Sequence, residues 1–250
     1  MSENRRERAI GKAQRMNQWL FLNSGKGEAA FNMALDEALL AGAGHWQKPV
    51  LRVYGWTEPA ATFGYFQKYS SVERAMLLRP LIRRPTGGGI VPHDVDWTYS
   101  FAVPPGHEWH SLAAIESYRR IHEWIQRAFA RLNIPTELAP EKKSAHARVE
   151  GGDDLPGECF TGHEKFDLLW QGKKIAGAAQ RRNKMGLLIQ GSVQPPPMRL
   201  LRNDWEKAMQ EAGTELFSAE WMEFSDGDLQ KQARELARQK YSQVAYNQKS

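Results

Sequence analysis

The chain contains a single cysteine, Cys159, which stands 15 residues before Lys174 in the segment CFTGHEKFDLLWQGKKIAGAAQRR. A free thiol with an ordinary pKa of about 8.5 is only a few per cent thiolate at neutral pH, so a nucleophilic cysteine needs a nearby cation. Lys173 and Lys174 follow a short hairpin pattern centred on Gln171 and Gly172, and His163 lies four residues past the cysteine. If that hairpin closes, a lysine faces the thiol. The bland alternative for Cys159 is a small buried hydrophobe. Beyond Lys174, the small residues Gly177, Ala178 and Ala179 allow a ligand to lie flat against the backbone. A solvated basic turn leading into a close-packed strand fits the same residues.

A second cluster is RRPTGGGIVPHD, residues 83–94. Gly87, Gly88 and Gly89 free the backbone of side chains, so its N–H groups can approach a phosphate or a carbonyl oxygen. Arg83 and Arg84 add fixed charge with forked donors, and His93 with Asp94 follows. The segment is neither a Walker loop nor a GxGxxG turn. A tight turn between strands is the competing reading; the combination of arginines, glycine run and His-Asp pair favours a binding loop. No GxSxG elbow occurs. His107 and His110 have no matching acid or cysteine cluster, so no metal site is expected.

These residues need elements to hold them. Residues 19–22 and 50–54 have strand patterns, as do 60–65, 81–84 and 98–103. Residues 29–41 place Phe31, Ala34, Leu35, Ala38 and Leu39 at helical spacing, with Gly42 and Gly44 as the stop. A short helix is expected at 74–78. The clearest helix is 111–132, whose stripe runs from Leu112 through Ile121 and Ile125 to Leu132. Residues 139–157 are polar and punctuated by glycine and proline, a mobile loop by composition. A hairpin over 166–175 and a strand over 186–193 follow. From Met198 the composition is helical, with 229–245 amphipathic and basic. Grouped helices among mixed strands imply an α+β fold: a mixed β-sheet flanked by helices. The expected organisation is a flexible arm at 1–16, a catalytic domain at 17–197 and a helical annex at 198–250 packed on the same domain.

Bulk composition sets the outer bounds. The chain has 250 residues, a net charge of +5 and a pI near 9.3, so it can bury a sizeable core and suits an acidic partner. One cysteine excludes an internal disulfide. No run of 18 apolar residues suggests a membrane span, and the charged start lacks the apolar stretch of a secretory signal. A cytoplasmic location is expected.

Four stretches together, FNMALDEALL, LRVYGWTEPAATFGYFQ, RRPTGGGIVPHDVDWTYS and the segment from Cys159 to Arg182, resemble the lipoate-protein ligase and octanoyltransferase superfamily. That superfamily shares its catalytic fold with biotin-protein ligases. The likeness extends over residues 19–193. It implies a catalytic pair of Cys159 and Lys174, and an acyl or substrate site at Arg84, Gly87, Gly88, Gly89, His93, Gly177 and Ala178. The CF pair at Cys159-Phe160 and the spacing to Lys174 look most like the ligase-like octanoyltransferases. These take an acyl group from acyl carrier protein onto the cysteine, then pass it to a lysine of a lipoyl domain such as glycine cleavage H protein. That route requires no cofactor. ATP-dependent ligases usually carry HDxGN after the glycine run, whereas this chain has His93, Asp94, Val95, Asp96 and Trp97. Pro92 stands where a bulky apolar residue is expected. A lipoate-protein ligase using ATP and Mg, a lipoyl-moving amidotransferase and a non-catalytic lipoyl-domain binder remain as alternatives. Neither a membrane nor a nucleic acid is expected as a partner. Tyr65, Phe66, Val91 and the glycine backbone are the expected lining of the acyl slot.

Overall fold

A computed structural model describes residues 17–141, 163–225 and 227–249. Cys159, most of the 139–157 segment and the 1–16 arm lie outside these residues.

The core is an eight-stranded mixed sheet. Its order is β11 (Glu220–Glu223), β1 (Gln18–Gly27), β2 (Val50–Trp56), β6 (Trp97–Val103), β10 (Gly186–Val193), β9 (Lys173–Asn183), β8 (Leu168–Trp170) and β7 (Glu137–Leu138). The first three strands are mutually parallel, and every later pairing is antiparallel. A smaller sheet has the order β4 (Leu81–Arg83), β3 (Ala60–Phe63) and β5 (Val91–His93). The helices are α1 (Ala29–Trp46), α2 (Tyr69–Ala75), α3 (Glu108–Ser111), α4 (Ala114–Arg131), α5 (Arg202–Phe217), α6 (Gly227–Leu236) and α7 (Val244–Asn247), with a π-helical turn at Ala237–Tyr241. The expected mixed sheet flanked by helices is what forms.

Side-chain alternation gives the large sheet two unlike faces. One is apolar throughout: Leu51, Val53, Phe101, Ile189 and Val193 pack on Trp124, Ile125 and Phe129 of α4 and on Trp205 and Met209 of α5. The other begins apolar, where Leu20, Val50, Ala102 and Leu188 meet Leu35 and Leu39 of α1. Further along the same strands it turns polar, at Arg52, Thr98, Ser100, Gln190 and Ser192, all buried. The buried polar stretch locates the site.

Several boundaries differ from expectation. Helix α1 passes through Gly42 and Gly44 and ends at Gln47, in the left-handed conformation. The Trp46 ring occupies the space a Gly42 side chain would need, so this glycine serves packing within the helix rather than ending it. The short helix α2 lies at Tyr69–Ala75, not 74–78. From Met76 the chain is extended, and Arg79 Nη1 donates to the Met76 and Leu78 carbonyls. The segment after Met198 is not wholly helical, since β11 adds a parallel edge strand to β1. The stretch at 229–245 breaks into α6, the π-helical turn and α7. The hairpin between β8 and β9 turns at Gln171 (φ 50°) and Gly172 (φ 75°), the pair of positive angles of a type I′ turn. Among the described residues no helix is long and apolar enough to cross a membrane.

Candidate active site

Where the large sheet turns polar, the smaller sheet stands off and leaves a slot. It is lined by Met33 of α1, Tyr54 of β2, Thr62, Val91 and His93 of the small sheet, Arg84 and Gly88, and Gly177, Ala178, Gln190 and Ser192 of β9 and β10. The space between atoms is about 400 Å³, counting the part open to solvent. Met33 and Tyr54 are almost fully buried, which makes them the floor. The small residues of β9 form a side wall without protruding.

His93 is held on both sides. Its Nε2 lies 2.8 Å from Thr62 Oγ1, and its Nδ1 lies 2.9 Å from Asp96 Oδ2. Arg84 Nη1 donates to Thr62 Oγ1 at 2.9 Å, so the threonine proton is available for His93 Nε2. This donor order puts the imidazole proton on Nδ1, facing Asp96. Asp96 Oδ2 also accepts from Thr98 Oγ1 at 2.9 Å and Ser192 Oγ at 2.7 Å. The His93 ring stacks on Trp56 with centroids 3.9 Å apart. With both nitrogens engaged, His93 presents ring surface to the slot. The aspartate adjacent to it in sequence, Asp94, is exposed and caps its own turn at the Val95 N–H. The buried partner is Asp96, two residues further on.

The glycine run reaches the slot through Gly88, which has φ 86°, a conformation that favours glycine. The arginines do not present free guanidinium groups to a ligand. Arg84 Nη2 donates to the Gly87 and Gly89 carbonyls, each at 2.8 Å, and clamps the loop from within. Arg83 donates to the carbonyls of Tyr65, Gln67, Asn247 and Lys249, tying the C-terminal segment to the loop's flank; burial lowers its pKa. Val91 and Gly88 line the slot as expected. Tyr65 and Phe66 do not: Tyr65 lies under Lys249, 3.5 Å from its ring centroid, and Phe66 is 88% exposed.

Lys174 sits beside Gly177. Its Nζ lies 3.0 Å from where a Gly177 Cβ would stand, and its Cε 2.8 Å, so only glycine accommodates the lysine head there. Asp167 Oδ2 receives Lys174 Nζ at 2.7 Å, with side chains 5% and 8% exposed for lysine and aspartate. The pair is therefore a buried ion pair beside Gly177, one of the residues that line the slot. Behind it, on α4, His122 is fully buried, and burial lowers its pKa to about 4.

The structure thus brings Arg84, Gly88, His93, Gly177 and Ala178 around one slot, with Gly87 and Gly89 flanking Gly88 through their carbonyl bonds to Arg84, and Lys174 beside Gly177. Cys159 is outside the described residues. Sequence reasoning missed Met33, Tyr54, Thr62, Asp96, Asp167, Gln190 and Ser192. A signal for two of them existed: in GLLIQGSV, Gln190 and Ser192 are the polar members of an otherwise apolar, alternating strand. A buried carboxylate lies under the floor. Asp36 of α1 is fully buried and accepts from Arg52, Tyr54, Ser100 and Gln190 at 2.6 to 2.8 Å. Gln190 Oε1 accepts from Thr86 at 2.7 Å, linking helix, sheet and glycine loop. Burial, with Asp36 adding to it, raises the Tyr54 pKa well above its ordinary value.

A sheet sealed by helices on one face and opened on the other into a small slot, with a buried lysine beside it, frames a candidate site for a small ligand. The sequence profile of the lipoyl protein ligase A/B catalytic domain matches residues 28–194. The chain is 34% identical over 183 residues to octanoyltransferase LipM of Kyrpidia tusciae, covering 71% of this chain and 66% of that protein. It is 35% identical over 187 residues to octanoyltransferase LipM of Bacillus subtilis, covering 70% and 64%. It therefore spans a little under two thirds of the length of these curated relatives. A structure of lipoate-protein ligase A bound with ATP superposes with a TM-score of 0.73 at 20% identity, covering 92% of this chain and 98% of that one. A bipartite lipoate protein ligase with its E2 lipoyl domain from Thermoplasma acidophilum gives 0.68 at 19% identity, covering 92% and 96%. This chain belongs to the lipoyl protein ligase A/B catalytic domain family.

Proposed function

We propose that this protein is an acyltransferase of protein lipoylation. It moves an octanoyl group from acyl carrier protein to a lysine of a lipoyl domain, such as glycine cleavage H protein. The observation that carries the proposal is the buried Lys174 side chain seated against Gly177, a residue that lines the largely apolar slot. In the first half-reaction the Cys159 thiolate attacks the donor thioester carbonyl. The thioester C–S bond breaks, the carrier's sulfur departs as a thiolate, and an acyl-cysteine forms. In the second, the acceptor lysine's neutral amine attacks that carbonyl. The cysteine sulfur leaves, taking up the amine's proton, and an amide results. Lys174 stabilises the negative charge that develops on the carbonyl oxygen in both steps. Both bonds broken are thioesters, already activated, so neither half-reaction consumes ATP.

The slot's apolar lining supports recognition by chain length. About seven methylene-sized units at ~0.8 kcal/mol each give roughly 5 to 6 kcal/mol before ordering costs. The engagement of the Arg83 and Arg84 donors by carbonyls supports a route without nucleotide, because a phosphate at the glycine loop would have to compete for them. The chemistry is assigned to 17–197 and a supporting role to 198–250, in keeping with the bonds from Arg83 to the chain's last residues. A cytoplasmic setting follows from the proposed carriers.

Intact-protein mass spectrometry tests the reading. The protein and its Cys159→Ala variant are mixed with octanoyl-acyl carrier protein without ATP. An octanoyl mass added to the unaltered protein only, and removed by hydroxylamine, is the expected result. No adduct, with ATP-dependent lipoylation that survives Cys159→Ala, makes the protein a ligase instead.

A further inference from the structure

We propose that Asp167 is a positioning residue for Lys174 in acyl transfer. It holds the ammonium in the notch left by Gly177. The inference deepens the acyltransferase reading and rests on it for the kinetic part of its test.

Five features converge on this carboxylate. It contacts Lys174 Nζ at 2.7 Å, and both side chains are buried. Its Oδ2 also accepts the Glu164 N–H at 2.6 Å, which fixes the carboxylate to its own turn. That turn is pinned to the chain before it, through Ala139 N to Asp167 O at 2.8 Å and Phe166 N to Ala139 O at 2.9 Å. Phe166, directly before Asp167, adopts φ 71°, a conformation that bulky side chains rarely take. A strained backbone held by surrounding bonds is characteristic of a segment that must aim a side chain. Finally, the missing Cβ of Gly177, a residue that lines the slot, leaves the space that the Lys174 head fills, next to the register shift between Leu168 and Leu169.

A buried ion pair is a poor source of stability, because desolvating two charges offsets their attraction. What it supplies here is a fixed location. A lysine on a flexible four-carbon stem would otherwise sample many positions. Tied to Asp167 and seated against Gly177, its charge stays where an acyl carbonyl in the slot meets it. Displacing a catalytic group by about 1 Å can cost about 100-fold in rate.

The experiment uses the full chain and two variants. Asp167→Asn removes the tether. Gly177→Ala places a methyl 2.8 Å from Lys174 Cε, so the end of a flexible side chain has to move while the fold is retained. Each is expected to lower kcat for octanoyl transfer to a lipoyl domain about 100-fold with little change in KM for that domain. Asp167→Glu is expected to recover part of the loss. In parallel, an amine-acylating reagent and peptide mass spectrometry measure labelling of Lys174 against its exposed neighbour Lys173. Labelling of Lys174 relative to Lys173 should rise several-fold in both variants. A purely structural role would lower the thermal midpoint without changing that ratio, and such a result overturns the proposal. So does an unchanged kcat in Gly177→Ala. If the unaltered protein transfers no octanoyl group at all, the acyltransferase reading fails, while the labelling ratio still decides whether Asp167 tethers Lys174.

Discussion

Two buried aspartates on the same face of the sheet, Asp36 and Asp96, are treated very differently. Asp36 has a cationic partner, Arg52, and both of its oxygens are engaged, Oδ1 by Arg52 and Ser100 and Oδ2 by Tyr54 and Gln190. Asp96 draws His93, Thr98 and Ser192 onto Oδ2 alone, and Oδ1 has no partner among the described residues. The first is a closed hub that binds α1 to the strands beneath the slot. The second gathers its donors on a single oxygen immediately behind the slot's wall and has spare acceptor capacity on the other. Full satisfaction goes with support, and partial satisfaction with proximity to the ligand space, as expected where a wall has to hold one shape before and after a ligand enters.

The largest expected effect is at the closed hub. Asp36→Asn leaves the Arg52 guanidinium, fully buried, without a counter-charge. Breaking a buried pair by removing one partner costs about 3 to 5 kcal/mol. Urea unfolding should show a lower midpoint at unchanged slope. A loss under about 1 kcal/mol would mean that Asp36 is not what joins α1 to the sheet.

A third buried group sharpens the contrast, because it has no closed hub around it. Neither His122 ring nitrogen completes a hydrogen bond of good geometry among the described residues, although the Tyr118 carbonyl one turn earlier slightly favours the protonated form. Asp167 also favours protonation and Lys174 opposes it, but burial dominates and lowers the pKa to about 4. The unfolded chain therefore binds a proton near pH 6.5 that the folded chain refuses until about pH 4. Stability from this residue is fully present above pH 6.5 and declines as pH falls through that window, by about 3 kcal/mol in total. Unfolding free energies measured from pH 7 to pH 4 should fall more steeply in the unaltered protein than in His122→Phe. Parallel curves would remove His122 from the account.

How much of this was legible depended on how local the cause is. The β8–β9 hairpin needed only the Gln171-Gly172 pair, and α4 only its stripe. Strand β11 was not legible: its four residues are mostly exposed, and their strand form comes from pairing with β1 about 200 residues earlier in the chain. At the site, the glycine run and the small residues of β9 were recognisable because close approach of backbone demands them. Which aspartate turns inward after His93 was not, since Asp94 and Asp96 differ only in where tertiary packing sends them. The arginines failed for the same reason. A guanidinium next to a glycine loop suits a phosphate or a carbonyl equally, and the fold supplied the carbonyls.

Asp96→Asn tests the slot-side hub. The amide oxygen can keep the Oδ2 position and its three donors, but the NH2 group then stands buried where Oδ1 was, with no acceptor among the described residues, at a cost of about 1 to 3 kcal/mol. We expect a raised KM for the octanoyl donor, as a neutral amide oxygen holds His93 more weakly than a carboxylate does, alongside that moderate stability loss. If Asp36→Asn raises KM as much as Asp96→Asn does, once both are compared at temperatures of equal folded fraction, the division of labour between the two hubs collapses.

The smallest effect belongs to the surface, where the ionic contacts look strongest. Glu116 accepts from both Arg119 and Arg120, and the Arg119 hydrogen bond is the main reason its pKa is held down to about 2. Yet the Arg119 and Glu116 side chains are 37% and 32% exposed. Water and salt screen such a pair, holding two long side chains in one geometry costs entropy, and pairs one helical turn apart are worth about 0.3 to 0.5 kcal/mol. Arg119→Ala should therefore shift the urea midpoint barely beyond error, and less still at 0.5 M salt. A loss approaching that of Asp36→Asn would mean that burial is not what separates the hubs from the surface, and the contrast between Asp36 and Asp96 would then need a cause other than their seclusion from water.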